Sequence, residues 1–210
     1  MNRFYFYLFI WVLLTQVHIV SSQDKTVLPI VVIDPGHGGS DKGAIGINGI
    51  QEKDIALNVA MEILRLNRQL CNNALEIYST RYTDTLISLK QRGKLANALK
   101  ADIFVSIHCN KASRRAARGL EVYICKSNAH TDGFARLIAK EAKKKLGIEN
   151  RGVKNGNFQV LHELEDAVGV LLELCFLSNF EEAKHIVRQS SISAYALLIL
   201  DTILKYYDHD

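Results

Sequence analysis

From residue 28 to residue 33 the chain is apolar apart from Pro29, and the run stops at Asp34-Pro35-Gly36-His37-Gly38-Gly39. A buried parallel strand entering a tight loop has this form, because burial on both faces removes the usual alternation. Ile55, Leu57, Val59, Ile63, Leu66 and Leu70 then recur at roughly helical spacing, which predicts a helix over 52–70. Further strands are predicted over 75–80, 103–107, 120–125 and 168–176. Further helices are predicted over 88–99 with Ser88 as cap, over 131–146 with Gly147 as stop, and over 190–206. Such alternation predicts a single α/β domain whose mainly parallel, twisted sheet carries helices on both faces. No repeat, low-complexity tract or Pro/Gly-rich linker interrupts it.

The N-terminus follows a different pattern. Met1-Asn2-Arg3 gives a short positive start, Phe4 to Leu14 is apolar apart from its tyrosines, and Val20-Ser21-Ser22 offers a small-residue cleavage site. The apolar stretch is short for a bilayer span and is followed by Gln16 and His18, so residues 1–22 read as a secretory signal and 23–210 as the exported domain. An uncleaved N-terminal anchor is the alternative. Export places the domain in a periplasm or outside the cell, with no stable membrane span once the signal is gone.

Composition narrows the picture only slightly. The 210 residues are 48% hydrophobic and 23% charged, with a formal net charge of +4, an ordinary balance for a globular domain. A mild positive excess suits an anionic polymer but distinguishes nothing. The four cysteines lack the paired short spacings of a zinc ribbon or redox motif, and Cys125 and Cys175 read as small buried hydrophobes within apolar runs. The glycine loop lacks both a following Gly-Lys-Ser/Thr and a full G-x-G-x-x-G, which argues against a nucleotide site. No nucleic-acid partner is expected.

Candidate chemistry gathers where strands end, as it does in open α/β sheets. His37 follows the first strand in a loop whose glycines let other groups approach. His108 ends the third. Glu52 opens the first long helix, which the Gly46–Gly49 loop can fold back beside His37. Two imidazoles and one carboxylate form a known three-ligand set for catalytic zinc, with a fourth position left open. Glu173 interrupts an otherwise apolar strand, where a carboxylate is costly unless paired or bound to metal, and could act as a general base. Each residue also has a bland reading. Glu52 could be a first-turn acid favoured by the helix dipole, and His108 a hydrogen-bonded strand-end histidine. His162 could face a groove, whereas His130, His185 and His209 sit in polar surroundings.

The ordered set of motifs resembles the zinc-dependent N-acetylmuramoyl-L-alanine amidases. It begins with Val31-Val32-Ile33-Asp34-Pro35-Gly36-His37-Gly38-Gly39, Asp41, Gly43-Ala44, Gly49 and Glu52-Lys53-Asp54. It continues through Thr80-Arg81, Asp84, Leu89, Arg92, Ala96-Asn97 and Ser106-Ile107-His108-Cys109-Asn110. Gly119-Leu120-Glu121-Val122-Tyr123, Arg151-Gly152-Val153-Lys154, Phe158-Gln159-Val160-Leu161 and Leu172-Glu173 with Phe176-Leu177-Ser178-Asn179 complete it. The resemblance implies that His37, Glu52 and His108 hold Zn2+ and that Glu173 is the catalytic acid/base. It also implies hydrolysis of the amide between N-acetylmuramic acid and L-alanine, making peptidoglycan the partner. The alternatives are a zinc peptidase or deacylase acting on another amide, and a wall-binding or activator protein that kept the fold without turnover.

Departures fall at Val168 and Phe180, where the family has proline, and at Cys175, in place of a small residue. Cys109 to Arg118 is too short for the inserted helix by which some members of the family block their metal until an activator arrives, so no such release is expected. Arg114, Arg115 and Arg118 could contact anionic polymer or form a solvated loop. No wall-binding module is visible, which leaves targeting to the domain itself or to an unidentified partner.

Overall fold

The computed structural model describes residues 28–208. The signal assigned to 1–22, and His209, lie outside the described residues.

The chain runs β1 (Ile30–Pro35), α1 (Glu52–Leu70), β2 (Glu76–Ser79), α2 (Leu89–Leu99), β3 (Ile103–Asn110), β4 (Leu120–Ile124), α3 (Ala129–Leu146), β5 (Asn150–Asn155), α4 (Gln159–His162), β6 (Val168–Phe176), α5 (Phe180–Ile186) and α6 (Gln189–Asp208). The six strands form one sheet in the order β2-β1-β3-β6-β4-β5. β2, β1, β3 and β6 are parallel, while β4 runs antiparallel to β6 and parallel to β5. The reversal has a simple cause. A parallel return needs a crossover of about a dozen residues or more, and the stretch between Asn110 and Leu120 holds no helix, so the chain turns straight back.

Helices cover both faces, as the alternation predicts. Val31, Ile33, Val105, Ile107, Val170 and Leu172 belong to one core with α1, α3 and α6. Val32, Phe104 and Leu171 belong to a second with Ala96 of α2 and Val160 and Leu161 of α4. In α1 the buried stripe Ile55, Ala56, Val59, Ala60, Ile63 and Leu66 follows the 3–4 spacing of one helix face.

Helix ends obey local chemistry. Ser88 and Gln91 form a reciprocal capping box at the start of α2. Asn128 accepts from Thr131 N, which starts α3 two residues before the predicted Thr131, and Gly147 ends it with φ 65°. Phe180 stands at the first position of α5 behind the cap Asn179, whose side chain accepts from Glu181 N and Glu182 N. Proline is well suited to that first position, so phenylalanine there leaves the helix start intact.

Three elements escaped the pattern. β5 is an edge strand with mostly polar residues, and α4 and α5 span too few residues for a periodicity to register. Cys125 departs from expectation too. It is only partly buried, with Sγ 3.2 Å from His162 Nδ1, because the apolar run ends at Ile124. Cys175 is buried as expected, 3.9 Å from Cys109, and all four cysteines are free thiols.

Candidate metal centre

Where β1 ends, the chain must turn sharply without filling the space beside β3. Gly36 permits this, since a Cβ there would lie 2.3 Å from His108 Cε1. The next residue, His37, takes the left-handed conformation at φ 58°, one that non-glycine residues adopt at a cost.

Two buried arginines hold it there. Arg92 donates to the carbonyls of Pro35 and His37 at 2.7 and 2.6 Å and to Asp34 Oδ1 at 2.7 Å. Arg81 donates to the carbonyls of Pro35, Gly36 and Lys53 at 3.0, 2.8 and 2.8 Å. The remaining oxygen sites of buried Asp34 accept from Thr80 and Ser106 hydroxyls at 2.6 and 2.7 Å. Loop carbonyls that would otherwise lack partners are thereby satisfied. The planar guanidinium fork serves several acceptors at once.

Glu52 arrives from the other side as the first residue of α1. Its Oε1 lies 2.8 Å from His108 Nδ1 and 3.1 Å from His37 Nε2, and accepts from Cys109 N at 3.0 Å. Its Oε2 accepts from Ala44 N at 2.7 Å. A Cβ on Gly43 would fall 2.5 Å from both Glu52 Oε2 and His37 Cδ2, so that glycine leaves room for the carboxylate. The rings of His37 and His108 meet edge to face with centroids 5.0 Å apart. One donor atom from each of His37, Glu52 and His108 lies within 4.8 Å of the others. Asp41 Oδ2 sits 2.8 Å from His37 Nδ1, leaving Nε2 to face the cluster, as an outer carboxylate does for a metal-bound imidazole.

The electrostatics fit the same use. Burial works to lower the pKa of His37, but its contacts with Glu52 and Asp41 outweigh this and raise it to about 9. Burial alone would raise the pKa of Glu52, yet His108 and His37 hold it far below the usual carboxylate range. The cluster is thus an anionic carboxylate already gripping two imidazoles, a charge and donor set suited to a divalent ion.

Glu173 faces this cluster from β6. It is paired in register with His108 on β3 and with Glu121 on β4. Its Oε2 is buried with no hydrogen-bond partner among the described residues. Burial first, and then the charges of Glu52 and Glu121, push its pKa up to about 8. The sequence-derived residues His37, Glu52, His108 and Glu173 therefore come together in one place.

His162 does not join them and instead contacts Cys125 and Asn157. Arg118 of the basic loop pairs with Glu149. The separate roles of Asp41, Arg81, Arg92 and Glu121 were not read from the sequence. A charged residue inside a helical pattern, as at Arg92, was the available signal. A cleft of about 850 Å³ lies elsewhere, against Lys143, Glu182 and Tyr195. The cluster lies outside it, with side chains of His37 and His108 still 23% and 16% exposed.

Residues 31–205 match the family model for N-acetylmuramoyl-L-alanine amidase. The chain belongs to this amidase family. It is 34% identical over 180 residues to N-acetylmuramoyl-L-alanine amidase LytC of Bacillus subtilis, covering 84% of this chain but 35% of LytC. It thus spans about a third of that relative's length. Among solved structures, the catalytic domain of CwlV, an N-acetylmuramoyl-L-alanine amidase from Bacillus (Paenibacillus) polymyxa var. colistinus, superposes with TM-score 0.80 at 36% identity. That match covers 87% of this chain and 100% of the other. The CwlD amidase from Clostridioides difficile, solved in complex with the GerS lipoprotein, gives TM-score 0.80 at 26% identity, covering 87% and 100%. These amidase domains share the architecture that sets the histidines and glutamates side by side here.

Proposed function

We propose that this chain hydrolyses the amide bond between N-acetylmuramic acid and L-alanine in peptidoglycan, with zinc held by His37, Glu52 and His108 and with Glu173 as the catalytic acid/base. The observation that carries this reading is the meeting of the three-donor cluster with a buried, unpartnered carboxylate oxygen, Glu173 Oε2, on the adjacent strand. A zinc ion there would polarise the scissile carbonyl and acidify a water molecule. Glu173, whose proton affinity is raised, would accept the proton of the attacking water and pass it to the leaving nitrogen. Asp41 would hold the His37 ring for this, and the two arginine clamps the backbone of its loop. His108 and Glu52 are anchored by the sheet and by α1.

Several features support action on the wall outside the cytoplasm. The family's substrate lies there, and residues 1–22 have the pattern of a secretory signal. The CwlD relative was solved with a lipoprotein partner, which makes a targeting partner reasonable here too. The β3–β4 link is pinned to the segment after β6 by Ala112 N to Ser178 Oγ and Asn179 Nδ2 to Arg115 O. It carries no helix, in keeping with an enzyme that needs no activator to uncover its metal.

The test is digestion of purified peptidoglycan with and without chelator, with products identified by mass. Intact stem peptides with a free N-terminal L-alanine, lost on chelation and restored by zinc, support the reading. A zinc-loaded protein that binds wall material but releases nothing would point instead to a wall-binding or activator role.

A further inference from the structure

On the far side of Glu173 from His108 lies a second charged cluster that the reaction does not use. Glu121, cross-strand from Glu173, is only 3% exposed at its side chain. It accepts from Arg151 Nε at 2.6 Å, Lys154 Nζ at 2.5 Å, Asn110 Nδ2 at 3.0 Å and Tyr123 hydroxyl at 2.8 Å.

Two cations so placed are not a default of strand geometry. Residues three apart on a regular strand point to opposite faces. Here the β4–β5 register shifts between Leu120 and Val122, so that Val122 pairs with Val153 while Leu120 pairs with Asn150. The extra residue is taken up around Gly152 at φ 87°, a bulge that turns Arg151 and Lys154 to the same carboxylate. Glu149, 3.9 Å from Arg151 Nη1, is shared with Arg118, so three cations, Arg118, Arg151 and Lys154, meet two carboxylates, Glu121 and Glu149, and a unit of positive charge is left over. Both side chains keep about a third of their surface open to solvent, 33% for Arg151 and 37% for Lys154.

We propose that Arg151 and Lys154 form the subsite for an acidic stem peptide, binding the free carboxylate on its second residue. This rests on the amidase reading above. A group that hands a proton to the leaving nitrogen lies on the leaving peptide's side of the bond, so the region beyond Glu173 receives the peptide and not the glycan. Neighbouring strands are spaced by about 4.8 Å, which puts the cation pair roughly 5–10 Å past Glu173. An extended peptide advances about 3.5 Å per residue, and two residues cover that distance. Glu121 is a positioning residue that holds both cations beside the strand that carries Glu173.

The experiment compares matched stem substrates whose second-residue carboxylate is either free or amidated. The intact protein should favour the free acid by about tenfold, the order expected of one charge-assisted hydrogen bond, with the difference falling on KM more than kcat. Lys154→Gln should erase much of this preference, and Lys154→Arg should keep it. Calorimetry with the released tripeptide alone should show the same preference and the same dependence on residue 154. Arg151→Gln provides a second variant, with a thermal melt to confirm folding. Equal KM and equal tripeptide binding for the two forms would overturn the subsite, as would a preference that survives both neutral substitutions. Absence of turnover with the binding preference intact would sink the amidase reading alone.

Discussion

Glu173 and His108 stand side by side in register on adjacent parallel strands, β6 and β3. One sheet pairing therefore sets the proposed proton carrier beside a proposed metal ligand. Their distinct roles lead to separable losses. Glu173→Gln should lower turnover about a hundred- to ten-thousandfold, the usual contribution of a general acid/base, while zinc content measured on the purified protein stays unchanged. His108→Ala should lose the zinc itself. A Glu173→Gln protein that is fully loaded and still active would exclude Glu173 as the base.

The metal-free site should compete with protons for the ion. His37 carries a proton up to about pH 9 through Glu52 and Asp41, and an imidazole must be neutral to ligate. Zinc uptake at pH 7 should release about one proton at this residue, and affinity should climb with pH until about 9. Calorimetric titration in buffers of different ionisation enthalpy measures the proton count, and a count of zero would contradict the assignment of His37.

Glu173 also gives the metal-free protein a pH signature. Its folded pKa, about 8, lies above the ordinary 4.5, so between these values the native state binds more protons than the unfolded chain. Its contribution to stability is therefore greatest below pH 4.5, falls as pH rises to about 8 and is flat beyond. Glu173→Gln lacks this loss and should melt progressively higher than the parent as pH rises through that window. His37 also loses stabilisation as pH rises towards 9, so the difference between variant and parent is the quantity to follow, in chelator.

Gly36→Ala should damage the site while leaving every ligand in place. The added methyl would lie 2.3 Å from His108 Cε1, forcing the ring to rotate. Zinc affinity should fall about ten- to a hundredfold, as when the support of a ligand is removed. Competition with a chromogenic chelator reads this directly, and unchanged affinity would show that the ring does not need the space.

Arg92→Ala should destabilise the whole domain. It strips a partner from Asp34, 1% exposed, and from the carbonyls of Pro35 and His37. Removing one half of a buried ion pair costs about 3–5 kcal/mol, measurable by urea unfolding at neutral pH. Arg92→Lys keeps the charge but loses the fork, and should recover only part of the loss.

The sequence determined much of this molecule. Alternating apolar runs and helical periodicities reveal the α/β class, the span of α1 and the β6 strand, because each is a local consequence of burial on one face or both. The same runs mark His37 and His108 near strand ends and Glu173 as a charge with no local reason to be there, whereas Glu52 opens a helix, where an acid is locally favoured, and its pattern alone does not single it out. Tertiary structure alone decided the rest. The bulge at Gly152 and the pairing of Glu121 with Glu173 depend on register between distant strands. No local pattern encodes that register. Arg81 looks like an ordinary polar position, and Arg92 only like a charge within a helical pattern, until the fold buries both under the His37 loop. The His37–Glu52–His108 cluster joins segments up to 71 residues apart in number, from 37 to 108. Only the parallel pairing of β1 with β3, and the return of α1 over their ends, brings those three donor atoms together.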